Sequence, residues 1–273
     1  MTFFKKVRAY VFGLLPPTMR QSILNALSKI HKLRFGVLRV LGGFKALLEN
    51  GYLENMLISV VAPKKSQLVA LRGERLKSLV SGLPKEANVL EIGTWFGEGS
   101  TKLFIDGLSR RMNLVLLDTW CEYVSEVDLE KSFYRTMNEI SYFAMANTLR
   151  VVRKAEQLND SPRITVIRRS GDIDFFGEKT FDLVFIDGSH YYEDVKRDIQ
   201  LALRVLKPGG TMCGDDLELQ PTKELADFAK LVLNQDFVSS PKGDYFHPGV
   251  ALAVYELLGE VEIVAGCWSK TVN

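Results

Sequence analysis

The chain is poor in cysteine and histidine, and it lacks any pattern that would staple or metallate a small fold. Its 273 residues include Cys121, Cys213 and Cys267, widely spaced and without a C-x-x-C pair. A disulfide framework and a structural zinc site are therefore excluded, and a reducing, cytoplasmic compartment is expected. No segment reaches the roughly 18 uninterrupted apolar residues of a membrane span. A secretory signal is not expected either: the first apolar run is short, ends at Pro16-Pro17 and has no small-residue cleavage site after it. Internal repeats and low-complexity tracts are absent. Acidic residues are missing altogether from residues 1–48, which carry nine Lys/Arg.

What is present is ordinary globular material, 47% apolar and 25% charged, enough for a packed core. The overall charge of +2 hides an asymmetry, since residues 49–273 hold 26 basic against 33 acidic residues. The chain thus divides into a basic arm, 1–48, and a mildly acidic body, 49–273. In the arm, Phe3, Phe4, Val7, Tyr10, Val11, Leu14 and Leu15 recur at helical spacing, and a second stripe runs through Ile23, Leu27, Ile30 and Leu33. Such helices either lie on an anionic membrane surface or pack on the body or a second subunit. The arm therefore gives two expectations: peripheral contact at the inner membrane surface, or a homo-oligomer contact. No nucleic-acid motif accompanies the charges, so no nucleic acid is expected.

The body alternates strands and helices. Strands are predicted at 88–92, 113–117, 164–168, 181–186, 211–214, 250–255 and 261–265. Helices are predicted at 67–79, 100–108, 129–140, 144–158, 192–206 and 223–233. Near-continuous apolar strands between helices predict an α/β fold: a Rossmann-like, open, mostly parallel seven-stranded sheet with helices on both faces, plus the N-terminal helical arm. Residues 119–163 interrupt the alternation as a helical insertion, read either as a lid or as an added layer whose aromatics are core.

Ligands of such sheets bind outside the carboxyl ends of the strands. Those ends carry Glu91, Asp118, Ser170-Gly171-Asp172, Asp187-Gly188-Ser189-His190 and Gly214-Asp215-Asp216, with nothing basic expected to face them. The first turn runs from Glu91 through Gly93, Thr94 and Gly97 to Gly99-Ser100. Its glycines are spaced differently from the G-x-G-x-x-G dinucleotide fingerprint, which argues against a pyrophosphate and a nicotinamide oxidoreductase. Asp118, at the second strand end, suits the two hydroxyls of a ribose or a local capping role. Carboxylates at two neighbouring strand ends make a hard oxygen site of the kind Mg²⁺ prefers, with zinc disfavoured. His190 is placed to act as a general base, or to cap or orient. His247 reads as structural and His31 as a surface residue.

The acidic glycine loop, Asp118 and the turn Lys207-Pro208-Gly209-Gly210 together resemble class I S-adenosylmethionine-dependent methyltransferases. The run Phe181-Asp182-Leu183-Val184-Phe185-Ile186-Asp187-Gly188-Ser189-His190-Tyr191-Tyr192, followed by Gly214-Asp215-Asp216, is similar to the metal-dependent O-methyltransferases of sugars and macrolide-type precursors. Leu117-Asp118-Thr119-Trp120 and Pro248-Gly249-Val250 also fit that subgroup.

The resemblance implies that Gly93, Thr94, Gly97 and Ser100 close on the methionine part of S-adenosylmethionine, with Glu91 nearby. It implies that Asp118 and Thr119 hold the ribose, that Ser170, Gly171 and Asp172 meet the adenine, and that Asp187 and Gly188 border the cofactor. Asp187, Asp215 and Asp216 would bind a divalent cation, Mg²⁺, with His190 and Asp187 catalytic. The acceptor would be a hydroxyl of a sugar, glycoside, glycolipid or polyketide-type metabolite. Two other readings stand beside it: a catechol-type O-methyltransferase, whose relatives place lysine at the His190 offset, and a non-catalytic membrane-associated protein with a nucleotide-type pocket.

Overall fold

The computed structural model describes residues 70–121, 124–158, 160–169 and 176–272. The basic arm 1–48 and the segment Ser170-Gly171-Asp172 lie outside the described residues. Nine strands follow in chain order: β1 (Asn88–Ile92), β2 (Asn113–Asp118), β3 (Arg163–Arg168), β4 (Phe181–Ile186), β5 (Leu206–Gly214), β6 (Val238–Ser239), β7 (Tyr245–Phe246), β8 (Glu262–Val264) and β9 (Cys267–Thr271). Among the described residues seven helices accompany them: α1 (Ala70–Ser81), α2 (Ser100–Gly107), α3 (Glu126–Leu129), α4 (Ser132–Glu156), α5 (Tyr192–Val205), α6 (Lys223–Ala229) and α7 (Pro248–Leu257).

The main sheet has seven strands in the order β3-β2-β1-β4-β5-β9-β8, and β6 pairs with β7 as a separate hairpin. Strands β1 to β5 are parallel, whereas β9 runs antiparallel to both β5 and β8. Alternate residues of each central strand enter different cores, following the two-residue period of a strand. Leu90, Ile92, Val184, Ile186 and Met212 pack with α5, α6 and α7. Val89, Leu114, Leu116, Leu183 and Phe185 pack with α1, α2 and the end of α4. Each fully buried aliphatic side chain contributes about 1.5–3 kcal/mol of transfer free energy. All three cysteines are free thiols, with Cys213 and Cys267 buried.

The structure corrects four sequence expectations. Residues 250–255 are helical, within α7; a short run apolar on all sides reads alike as a buried strand or helix. Pro248 at the first turn suits a helix start, where its missing N–H is not needed. The seventh strand is instead β9. The two helices expected at 129–140 and 144–158 are the single α4 of 25 residues, preceded by the short α3. Finally, β5 begins before its expected turn: Leu206 pairs with Phe181 and Thr211 with Leu183, so Lys207-Pro208-Gly209-Gly210 bulges out of a continuing ladder.

From β1 the chain passes to β2 on one side, while β4 lies on the other. This reversal of strand order opens a crevice at the carboxyl ends. Hydrogen bonds link those ends: Gly93 N–H to Leu117 O (2.8 Å), Asp187 N–H to Ile92 O (2.8 Å) and Asp215 N–H to Ile186 O (3.1 Å). No helix among the described residues is long and apolar enough to cross a membrane.

Candidate active site

A cavity of about 550 Å³ fills the crevice. Gly93, Thr94, Ser100, Asp118, Thr119, Asp187 and Gly188, all expected from sequence to meet a cofactor, line it. Glu91 and Gly97 are not on its wall. Gly93 has φ +87°, and a Cβ there would stand 2.0 Å from the Asp187 carbonyl oxygen. Only glycine allows the β1–α2 loop to lie against the end of β4 in this way.

Asp118 organises the same loop. Its Oδ2 accepts from Thr94 N–H (2.8 Å), Trp95 N–H (2.9 Å) and Thr94 Oγ1 (3.4 Å), and its Oδ1 accepts from Trp120 N–H (2.7 Å). Burial raises its pKa against the opposing pull of those bonds. The capping role is therefore directly visible, and Oδ1 keeps a second lone pair for a ligand. Glu91 sits behind the loop, fully buried, with Oε1 accepting from Ser100 Oγ (2.6 Å) and Oε2 lacking a partner. Burial pushes its pKa up to about 8.

Helix α4 completes the loop from the other side. Asn147 Nδ2 donates to Phe96 O (2.6 Å) and Thr148 Oγ1 to Trp95 O (2.7 Å). Phe143, Ala144, Phe96 and Trp120 form a small buried cluster there, so Trp120 and Phe143 of the insertion are core.

At the other end of the cavity stand the acids of β4 and β5. Asp187 has its pKa raised well above the carboxylate range, first by burial and then by the charges of Asp215 and Asp216. Asp215 is raised to about 6 by burial and by Asp216. Asp216, despite burial, is held low by the hydrogen bond and charge of His190.

His190 lies between two carboxylates, with Nε2 3.0 Å from Asp216 Oδ2 and Nδ1 2.7 Å from Asp236 Oδ1. Burial alone would lower its pKa, but these two bonds prevail and raise it well above the usual value. Gly249 brings α7 against this loop, since a Cβ there would meet His190 O at 2.2 Å. Asp236 is fixed in turn by Asp128 of α3, whose Oδ2 accepts from Asp236 N–H (2.8 Å) and from the Tyr191 hydroxyl (2.8 Å). His247 Nδ1 lies 3.0 Å from Glu218 Oε1, and its ring is 4.4 Å from that of His190.

Sequence reasoning missed Arg72, Asp128 and Asp236. It also expected nothing basic at the strand ends, yet Arg72 of α1 pairs with Asp215 Oδ2 (2.8 Å) and Asp216 Oδ1 (3.4 Å). This alters the expected cation site. Among the described residues three groups have donor atoms within 4.8 Å of one another, Asp187/His190/Asp216, His190/Asp236/His247 and Asp216/Glu218/His247, and none includes Asp215. Asp215 is committed elsewhere, Oδ2 to Arg72 and Oδ1 to the Asp216 N–H (3.0 Å). As placed, Asp187, Asp215 and Asp216 do not fit a three-carboxylate Mg²⁺ site, because a guanidinium and an imidazole already hold oxygens of Asp215 and Asp216.

Residues 90–217 match a family model described as a methyltransferase domain. No curated protein matches the chain. Among solved structures, the fold is similar to an O-methyltransferase from Bacillus cereus in complex with SAH, at 21% identity and TM-score 0.47, covering 89% of this chain and 97% of that one. It is also similar to a SAM-dependent methyltransferase from Aquifex aeolicus, at 16% identity and TM-score 0.43, covering 74% and 88%. The family match spans the glycine loop, the reversal of strand order and the acidic strand ends, so this part of the α/β body is similar to a methyltransferase domain.

Proposed function

We propose that the protein moves the methyl group of S-adenosylmethionine to a hydroxyl oxygen of a sugar, glycoside or similarly hydroxylated small metabolite. The observation that carries this reading is the Asp236–His190 pair at the edge of the cofactor cavity. An imidazole whose Nδ1 is fixed by a carboxylate and whose Nε2 faces a cavity is built to take a proton. The loop Gly93–Ser100 and Asp118 would hold the cofactor, and the acids of the cavity suit its positive sulfonium.

In the transfer, the S–CH₃ bond breaks as an O–CH₃ bond forms, and S-adenosylhomocysteine leaves. His190 Nε2 exchanges its bond to Asp216 for the acceptor hydroxyl and receives the hydroxyl proton, while Asp236 holds Nδ1–H and stabilises the imidazolium. Because His190 is held protonated by its two carboxylates, its basic form grows as pH rises, and the rate should follow it upward.

The test is an incubation of the full chain with methyl-labelled S-adenosylmethionine and a panel of glycosides and aromatic diols, read as labelled product. Transfer to a glycoside hydroxyl, reduced 100-fold or more in His190→Gln with cofactor affinity kept, is the expected result. Transfer to a nitrogen or carbon acceptor, or a fully active His190→Gln, would overturn the reading. Preference for diols would favour the catechol-type alternative.

A further inference from the structure

Arg72 is placed too firmly to be a stray surface charge. Its side chain is one-fifth exposed and reaches from α1 to the carboxyl end of β5. There Nη1 meets both aspartates and Nε donates to Ala265 O (2.6 Å) in the β8–β9 turn. The guanidinium lies on Gly266, where a Cβ would stand 2.7 Å from Nη2. That turn is tied back to the segment after Asp216 by Leu217 N–H to Gly266 O (3.0 Å). Three elements thus converge on one permanently charged group that also lines the cofactor cavity.

A divalent ion held by Asp215 would need an oxygen at roughly 2.0–2.1 Å. Arg72 Nη1 stands 2.8 Å from Asp215 Oδ2, so the two cations would compete for the same lone pairs at a separation where they repel.

We propose that Arg72 is the resident cation of the acidic centre, occupying at Asp215 and Asp216 the place a divalent ion would take and excluding that ion. Arg72 then offsets the charge of Asp215 and Asp216 from within the fold. Methyl transfer proceeds without added metal, and α1 becomes part of the active centre because it delivers the charge. The inference deepens the proposed O-methyl transfer, but its primary test does not depend on that reading.

The test is titration of Mn²⁺ into the full chain, freed of metal, with bound ion read by electron paramagnetic resonance in wild type, Arg72→Gln, Arg72→Lys and Arg72→Gln/Asp215→Asn. Arg72→Gln should bind Mn²⁺ at least tenfold more tightly than wild type, and the added Asp215→Asn should abolish that gain. Arg72→Lys keeps the charge and should exclude the ion as wild type does; it also serves if the glutamine variant fails to fold. Wild type or Arg72→Lys binding Mn²⁺ at micromolar concentration, or a gain below tenfold in Arg72→Gln, would overturn the proposal. If Arg72→Gln gains the ion while no hydroxyl acceptor is ever methylated, the resident cation stands and the proposed function falls. Transfer that is lost in EDTA and restored by Mg²⁺ counts against the resident cation alone.

Discussion

Replacing Gly93 by alanine isolates one contact on which the cavity depends. The new Cβ would stand 2.0 Å from Asp187 O, 2.4 Å from its carbonyl carbon and 2.5 Å from Gly188 Cα, all backbone atoms that no rotamer can move aside. Ordinary contact begins near 3.4 Å, so the loop must retreat from β4 by about 1.4 Å. Holding φ +87° with a side chain costs about 1–2 kcal/mol. Forcing a packed interface apart adds about 1–3 kcal/mol. The sum of about 2–5 kcal/mol corresponds to a fall in Tm of roughly 4–20 °C for a domain of this size. Gly82 is the control, since its Cβ would come no nearer than 3.6 Å to another atom and it lies away from the cavity. Gly82→Ala should stay within about 1 kcal/mol of wild type. Urea denaturation measures both variants, and calorimetry with S-adenosylmethionine should show Gly93→Ala binding at least tenfold more weakly. Equal stability and equal affinity of the two variants would refute the argument that this close approach shapes the site.

Three further outcomes follow from the buried charges. Glu91, with its pKa raised by burial to about 8, disfavours the folded state as the unfolded carboxyl ionises above pH 4.5. Glu91→Gln should therefore gain stability over wild type with rising pH, on the order of 3 kcal/mol at pH 7, and the gain should level off near pH 8 in urea titrations. Asp236→Asn removes one of the two bonds that raise His190, so the ascending limb of kcat/KM against pH should move to lower pH; an unmoved limb would detach Asp236 from the base. Asp128 accepts bonds from Lys131, Tyr191 and Asp236, and although burial opposes them they hold its pKa below the usual value. Asp128→Asn should cost about 2–4 kcal/mol at neutral pH. That difference should shrink as acid protonates the wild-type carboxyl, because stability from a depressed pKa is lost as pH falls through it.

The parts of the fold that were legible in sequence are those governed by local pattern. Central strands β1 and β4 were read with their observed ends because parallel strands buried on both faces are continuous apolar runs. The run from Val250 to Tyr255 misled because α7 is enclosed on every side, which erases the periodicity that separates helix from strand. Strand β9 was invisible because Cys267-Trp268-Ser269-Lys270-Thr271 carries too few apolar residues to announce a strand. Within the site, Asp187, His190, Asp215 and Asp216 were legible because a strand end fixes where a side chain emerges. Arg72 was not, since it lies 143 residues from Asp215 and meets it only through the packing of α1. Asp236, a lone acid 46 residues from His190, likewise has no local signal.

The grip of Asn147 and Thr148 on the carbonyls of Phe96 and Trp95 constrains how this fold can diversify. The two residues belong to the segment that interrupts the strand–helix alternation, where a designer would naturally look for acceptor selectivity. Yet they shape the turn on which the methyl donor would rest. Exchanging the whole segment with that of another enzyme would therefore change donor affinity together with acceptor choice. A chimera that retains Asn147 and Thr148 in register should vary the one while sparing the other.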